Sequence, residues 1–214
     1  MAGALKTNEG HFFEDFRLGQ TIRHATPRTV THGDVALYCG LFGGRFAVQS
    51  SSAFAKAIGY KDTPVDDLLV FHIVFGKTVP DISLNAVANL GYAGMQFLAP
   101  VFAGDTLSST SEVIGLRENS NRKTGIVYVR TRGFKQDGTP VLEYARWVMV
   151  RKRSADAAVP QEHVPSLPSL LQPEALGDAC PAISSQNYDR GLAGSPHLWA
   201  DYSVGETIDH VDGM

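Results

Sequence analysis

Asp67-Leu68-Leu69-Val70-Phe71-His72-Ile73-Val74-Phe75-Gly76-Lys77-Thr78-Val79 is the most apolar stretch of the chain. Eight of its thirteen residues are aliphatic or aromatic, and the run exceeds the roughly 5–6 residues of an ordinary strand. A helix that is apolar nearly all round has to be buried. The expectation is therefore one long buried helix over Asp67 to Val79, with the rest of the domain built around it.

Working upstream, Ser51 to Ile58 suits a short helix closed by Gly59. Before it, Thr31 is placed to cap a helix, with Asp34 in the first turn, and Val35, Leu37, Tyr38 and Leu41 follow at helical spacing up to Gly43-Gly44. Phe16 to Val30 reads as an extended opening segment. Downstream, strands are expected over Asn85 to Phe97, Thr106 to Arg117, Gly125 to Gln136 and Thr139 to Arg151. Asn119-Ser120-Asn121 and Asp137-Gly138 supply turns, the second a strong hairpin signal. In the last strand Val141, Glu143, Ala145, Trp147 and Met149 alternate with Leu142, Tyr144, Arg146, Val148 and Val150. Apolar groups on both faces predict a central strand. The pattern gives an α+β domain: a buried helix on an antiparallel sheet whose last four strands meander.

Composition narrows the function classes. The chain has 214 residues, 43% of them hydrophobic, and a net charge of −3. Without a basic stripe, nucleic acid is not an expected partner. Arg151-Lys152-Arg153 is the densest basic stretch, and it reads as a solvated strand end. Cys39 and Cys180 lie far apart and outside any C-x-x-C pair, so no metal site is expected and a reduced, cytoplasmic setting fits. No apolar run approaches the ~18 residues of a membrane span, and Met1 to Lys6 carries no signal-like core.

Residues 152–198 change character. They hold six of the eleven prolines: Pro160, Pro165, Pro168, Pro173, Pro181 and Pro196. That density predicts an extended linker wrapping the surface. Beyond it the opening of the domain recurs. Phe13-Glu14-Asp15-Phe16-Arg17-Leu18-Gly19-Gln20-Thr21-Ile22-Arg23-His24 aligns without a gap on Trp199-Ala200-Asp201-Tyr202-Ser203-Val204-Gly205-Glu206-Thr207-Ile208-Asp209-His210, with Asp, Gly, Thr, Ile and His in register. Such a repeat predicts a second copy of the domain beginning near Trp199. The expected organisation is a domain over 12–151, a linker over 152–198, and the truncated start of a second repeat over 199–214.

Three passages resemble MaoC-like hydratases: Phe13 to Thr21, Leu41 to Gly59, and Phe97-Leu98-Ala99-Pro100-Val101-Phe102-Ala103-Gly104-Asp105-Thr106-Leu107. The last, matching F-x-x-P-V-x-x-G-D-x-L, is the most specific. Within that superfamily, Phe12 to Ile22, Leu69 to Asp81 and Glu143 to Arg153 are similar to the mesaconyl-CoA (2-methylfumaryl-CoA) hydratase family of the ethylmalonyl-CoA and related pathways. The resemblance implies a hotdog fold, a long central helix wrapped by a curved antiparallel sheet, here as the first half of a tandem double hotdog. It implies a hydro-lyase that reversibly adds water to mesaconyl-CoA to give β-methylmalyl-CoA. It implies no cofactor beyond the CoA of the substrate, and a homodimer or higher oligomer, because a lone hotdog normally pairs its sheet.

Hydrating an enoyl thioester takes a base for the water, an acid for the α-carbon and donors for the thioester oxygen. In the family an Asp and a His five residues later move the protons. On those positions this chain has Gly44 and Gln49, and neither titrates near neutral pH. No catalytic residue is therefore assigned in this stretch; the resemblance implies that the second hotdog carries the pair while the first shapes the acyl pocket. Substrate-binding candidates are Arg45, for a carboxylate or phosphate, and His72 with the following Ile73 N–H, for an oxyanion. An ordinary surface arginine and a histidine packed inside a buried helix are the plainer readings of Arg45 and His72. His24, with its counterpart His210, is expected to be structural, His32 solvent-facing, Asp105 a turn former, and Tyr144 and Trp147 sheet packing. Two other functions stay open: an acyl-CoA-binding hotdog without chemistry, and a hotdog thioesterase using Glu112 or Asp105.

Overall fold

The computed structural model describes residues 7–44, 46–178 and 181–209. Arg45, Cys180 and His210 lie outside the described residues.

A single 3-10 turn, Phe13–Asp15, leads into β1 (Thr21–Thr29). Then come α1 (His32–Phe42), α2 (Ala47–Ser50), α3 (Ser52–Ala57) and α4 (Asp67–Thr78). Four strands follow: β2 (Ala86–Phe97), β3 (Thr106–Glu118), β4 (Thr124–Phe134) and β5 (Pro140–Arg151). The helix boundaries have local causes. Thr31 Oγ1 accepts from Asp34 N–H at 3.1 Å while Asp34 accepts from Thr31 N–H at 2.9 Å, a reciprocal cap. Gly43, at φ +59°, ends α1 in the left-handed conformation that favours glycine. Asp66 caps α4 through Leu68 N–H at 2.8 Å.

All five strands form one antiparallel sheet in the order β1-β3-β4-β5-β2. The chain crosses from β2, at one edge, to β3, beside the other edge, so the expected four-strand meander is corrected: only β3-β4-β5 meander, and β5 lies between β4 and β2. Strand pairing across that distance is decided by tertiary packing, not by local pattern. Helix α4 lies on the inner face of the sheet, the hotdog arrangement.

The expected all-round burial of α4 is also corrected. Leu69, Val70, Ile73, Val74 and Thr78 are buried, but Leu68 is 55% exposed and His72 and Gly76 face outward. One side of the helix meets the sheet, and nothing among the described residues covers the other. After Thr78 the helix widens into a π turn, Val79–Ser83, that buries Ile82.

The core falls into two clusters. One joins α4 to Val30, Val101, Leu107, Val141, Leu142 and Tyr144. The other gathers Phe13, Phe16 and Ile82 onto Val113, Leu116, Val127, Val129, Val148 and Val150. Buried polar groups accompany them. His24 bonds Asp81 through Nδ1 (2.7 Å) and Ser111 through Nε2 (2.8 Å), and Ser111 Oγ lies 2.8 Å from Thr131 Oγ1. Lys152, expected in solvent, is instead buried: its Nζ donates to Glu118 Oε1 at 2.6 Å and to the carbonyls of Ala155 and Ala157. A buried ammonium needs such acceptors; the sequence run of three cations hid that its middle member points inward.

The proline-rich segment straps the domain. His163 exchanges backbone hydrogen bonds with Leu116 at 2.8 Å each way, Pro165 packs on Gly115, and Pro168 lies near Gly94. A Cβ at Gly115 would sit 2.4 Å from Pro165, so the glycine makes the contact possible. The one-turn α5 (Pro173–Asp178) follows, and the chain returns to α3, where Ser184 N–H donates to Ile58 O at 2.7 Å and Tyr188 meets Phe54 edge-on.

The sequence repeat is also a structural one. Phe12 N–H donates to Asp15 Oδ2 (2.9 Å) and Arg17 N–H to Gln20 Oε1 (2.9 Å); Leu198 N–H donates to Asp201 Oδ2 (2.7 Å) and Ser203 N–H to Glu206 Oε2 (2.6 Å). Gly19 and Gly205 share positive φ, +78° and +86°. Phe13 and Phe16 are wholly buried, whereas their counterparts Trp199 and Tyr202 are 92% and 46% exposed.

Candidate functional site

Gly44 and Gln49 sit on the turn and the short helix α2 that follow α1. Ser50 Oγ donates to Gly44 O at 3.0 Å and steadies that turn. A Cβ on Gly44 would meet only Cys39 Sγ, at 3.6 Å, an ordinary contact. Sterics do not impose the glycine; the carboxylate is simply missing. Gln49 lines a cavity of about 100 Å³ with Val48, Tyr60, Asp67, Phe97 and Pro181. That is room for roughly three waters at ~30 Å³ each, too little for an acyl thioester. The strap contributes Pro181 to its wall. Gln49 Oε1 is buried without a hydrogen bond. Asp67, on the first turn of α4, has its carboxyl pushed up by burial and by the charge of Asp66.

His72 and Ile73 line a different groove, of about 280 Å³, between β1 and the outer side of α4, with Thr26, Arg28, Gly76 and Lys77. Its charged members are cationic. Arg28 pairs with Asp34 at 2.5 Å and Lys77 donates to Thr26 O; burial, then the Arg28 charge, lower the Lys77 pKa. The expectation of a packed His72 is corrected, since the residue is exposed beside Tyr38 and Phe71. Ile73 is mid-helix, where the backbone N–H is committed within α4; the N–H groups without an intrahelical partner belong to the first turn, where Asp66 already takes that of Leu68. The structure thus brings His72 and Ile73 together and leaves Gly44 and Gln49 apart from them.

The remaining candidates have structural duties. Asp105 accepts from Phe102 N–H at 2.9 Å and pairs with Lys135 at 3.0 Å; despite burial, these contacts hold its carboxyl below the usual range. Glu112 lies on the exposed sheet surface near Arg130 and Arg132. Neither acid shares a cavity with the other candidates. Trp147 stacks on Tyr128 and lies against Gly91. His32 is exposed. Among the described residues no cluster of His, Cys, Asp or Glu has a metal-holding arrangement, and no helix is long and apolar enough to cross a membrane.

One functional candidate went unread in the sequence. Arg146 is 1% exposed and lies on the inner face of β5, in the row Leu142, Tyr144, Arg146, Val148, Val150. Its signal was an arginine interrupting an apolar row. Its Nη2 donates to Thr78 Oγ1 at 3.2 Å, and its guanidinium lies 4.6 Å from the centre of the Phe75 ring.

The family model described as "Mesaconyl-CoA hydratase" matches residues 3–165. The chain belongs to the mesaconyl-CoA hydratase family. It is 61% identical over 211 residues to the β-methylmalyl-CoA dehydratase of Chloroflexus aurantiacus, covering 99% of this chain and 60% of that protein. It is 58% identical over 212 residues to the mesaconyl-CoA hydratase of Cereibacter sphaeroides, covering 98% and 61%. A crystal structure of a MaoC domain protein dehydratase from C. aurantiacus superposes with a TM-score of 0.90 at 61% identity, over 97% of this chain and 59% of that one. Rv0216 of Mycobacterium tuberculosis, a double hotdog, superposes with a TM-score of 0.64 at 26% identity, over 84% and 53%. The chain therefore spans about 60% of the length of the family members it matches best among these.

Proposed function

We propose that this chain is the substrate-shaping part of a hydro-lyase that adds water reversibly to mesaconyl-CoA, giving β-methylmalyl-CoA. The observation that carries the reading is near-complete coverage of the chain, at 58–61% identity, by relatives named for the two directions of that reaction. Residues 12–151 form the first hotdog, 152–198 the strap, and the turn from Trp199 opens a second hotdog. The exposed Trp199 and Tyr202, whose counterparts are core residues, support that division.

Catalysis in this reading belongs to the part of the relatives' length that this chain does not span. Gly44 and Gln49 offer no acid or base, and the cavity that Gln49 lines is only about 100 Å³. His72, with Arg28 and Lys77 in the cationic groove, suits the anionic part of CoA, and Arg45 is proposed for the same charge. In a protein of the relatives' full length, Gln49→Ala should leave kcat for mesaconyl-CoA hydration within about threefold, because removing a true acid or base lowers it by about 10²–10⁴. A loss in that range would place proton transfer in this half. A binding module without chemistry is the second reading, favoured by the same Gly44 and Gln49; turnover by the full-length protein excludes it.

A further inference from the structure

Arg146 carries a charge that the fold leaves unmatched. Its Nε is buried with no acceptor, and the hydroxyl of its row neighbour Tyr144 is buried with no hydrogen bond either. The Thr78 and Thr131 hydroxyls stand beside that phenol without reaching hydrogen-bond geometry. Among the described residues no carboxylate lies within ion-pair distance of the guanidinium; Asp81, a half-buried acid of the same core, is turned to His24. Arginine does not shed its proton in a protein, and a buried cation without an anion opposes folding. Retaining one here implies that an anion arrives.

The free donors specify that anion. Nε and a terminal nitrogen of a guanidinium form a planar fork that matches the two oxygens of a carboxylate, and the Tyr144 hydroxyl adds a third donor. Tyr92, on the edge strand β2, stands directly opposite Arg146, meets the Tyr144 ring and is 38% exposed, so it lies between the pair and the sheet edge. Phe75, half-buried on α4, covers the guanidinium from the other side.

We propose that Arg146 and Tyr144 bind a free carboxylate on the acyl group, so that this half selects thioesters of dicarboxylic acids over those of monocarboxylic acids. The proposal rests on the enoyl-CoA hydratase reading and assigns its substrate selectivity to two residues.

The test compares mesaconyl-CoA with crotonyl-CoA, an enoyl thioester without the second carboxylate, in the full-length protein. In Arg146→Gln the ratio of kcat/KM for mesaconyl-CoA to that for crotonyl-CoA should fall at least about a hundredfold, since a site built around a polar group discriminates strongly for it. Tyr144→Phe should lower the ratio about fivefold while keeping the ring packing, in line with one lost hydrogen bond of about 1 kcal/mol. Arg146→Met should melt no lower than the wild type, as expected of a residue kept for a ligand and not for stability. An unchanged ratio in both selectivity variants overturns the assignment. So does loss of assembly in Arg146→Gln with the ratio unchanged, which would give the site to a carboxylate side chain of another part of the protein. Failure of the wild type to hydrate either thioester strikes the hydratase reading itself, and is seen before any variant is made.

Discussion

His24 shows how one side chain ties the core to pH. Its Nδ1 faces the Asp81 carboxylate and its Nε2 faces Ser111. In the neutral ring Nδ1–H donates to Asp81, Nε2 accepts from Ser111, and Ser111 accepts from Thr131, so the chain of bonds has one direction. Protonation would put a donor on Nε2 and force that chain to reverse. Burial lowers the His24 pKa below 6.5, outweighing the upward pull of the Asp81 bond and charge. Between the folded value and 6.5 the unfolded chain binds the proton more readily, so stability rises with pH through that window and is lost as pH falls from the mid-6s. The paired carboxylates of Asp15, Asp34 and Asp105 have lowered values, so their contributions persist until pH drops to about 3.8 and below. Asp67, with a raised value, acts in the opposite sense, and the same term is present in a His24 variant. Urea midpoints measured from pH 5 to 8 should therefore fall below pH 6.5 in the wild type relative to His24→Gln. Parallel curves would mean that the ring stays neutral in neither state more than the other. At this scale the chain was half legible: a structural His24 followed from its repeat counterpart His210 in the sequence, and Arg146 stood out only once the inward row of β5 was known to be wholly buried.

Helix α4 carries the argument at the scale of elements. Its two sides differ in this chain, one meeting the sheet and the other presenting Leu68, His72 and Gly76. Leu69→Ala should destabilise the 214-residue chain by about 2–5 kcal/mol, because it empties a packed site. Leu68→Ala should change it by less than about 0.5 kcal/mol. Chemical denaturation of the two variants checks this, and equal losses would mean that α4 is buried on both sides. Alternation and helix caps made the elements themselves readable: Thr31, Gly43, Asn119 to Asn121 and Asp137-Gly138 each mark a boundary where the structure has one. The place of β2 was not readable, because its partner β5 lies some fifty residues away and only the shared core decides that pairing. The outward side of α4 was not readable either, since an exposed apolar residue such as Leu68 looks the same in sequence as one in a core.

At the scale of the molecule, the proposed second hotdog would give the exposed side of α4, the edge strand β2 and the exposed Trp199 turn a larger body to belong to. The strap runs from β5 across Gly115 and Gly94 and back to α3. The repeat of Phe12 to Gln20 at Leu198 to Glu206, visible in the sequence and repeated in hydrogen bonds, is the clearest sign of a second unit. The candidate site was less legible than the fold, because the positions that carry chemistry in the superfamily are occupied here by Gly44 and Gln49, and a missing group leaves no pattern to read. The central claim is that this half shapes the substrate site without performing the chemistry. The measurement that tests it most directly is the loss of enoyl-thioester absorbance when mesaconyl-CoA is given to the 214-residue chain and, in parallel, to a protein of the relatives' full length containing it. The account predicts turnover by the longer protein and none by the 214-residue chain. Turnover by the 214-residue chain alone would contradict it and would place an acid and a base among Asp67, His72 and their neighbours.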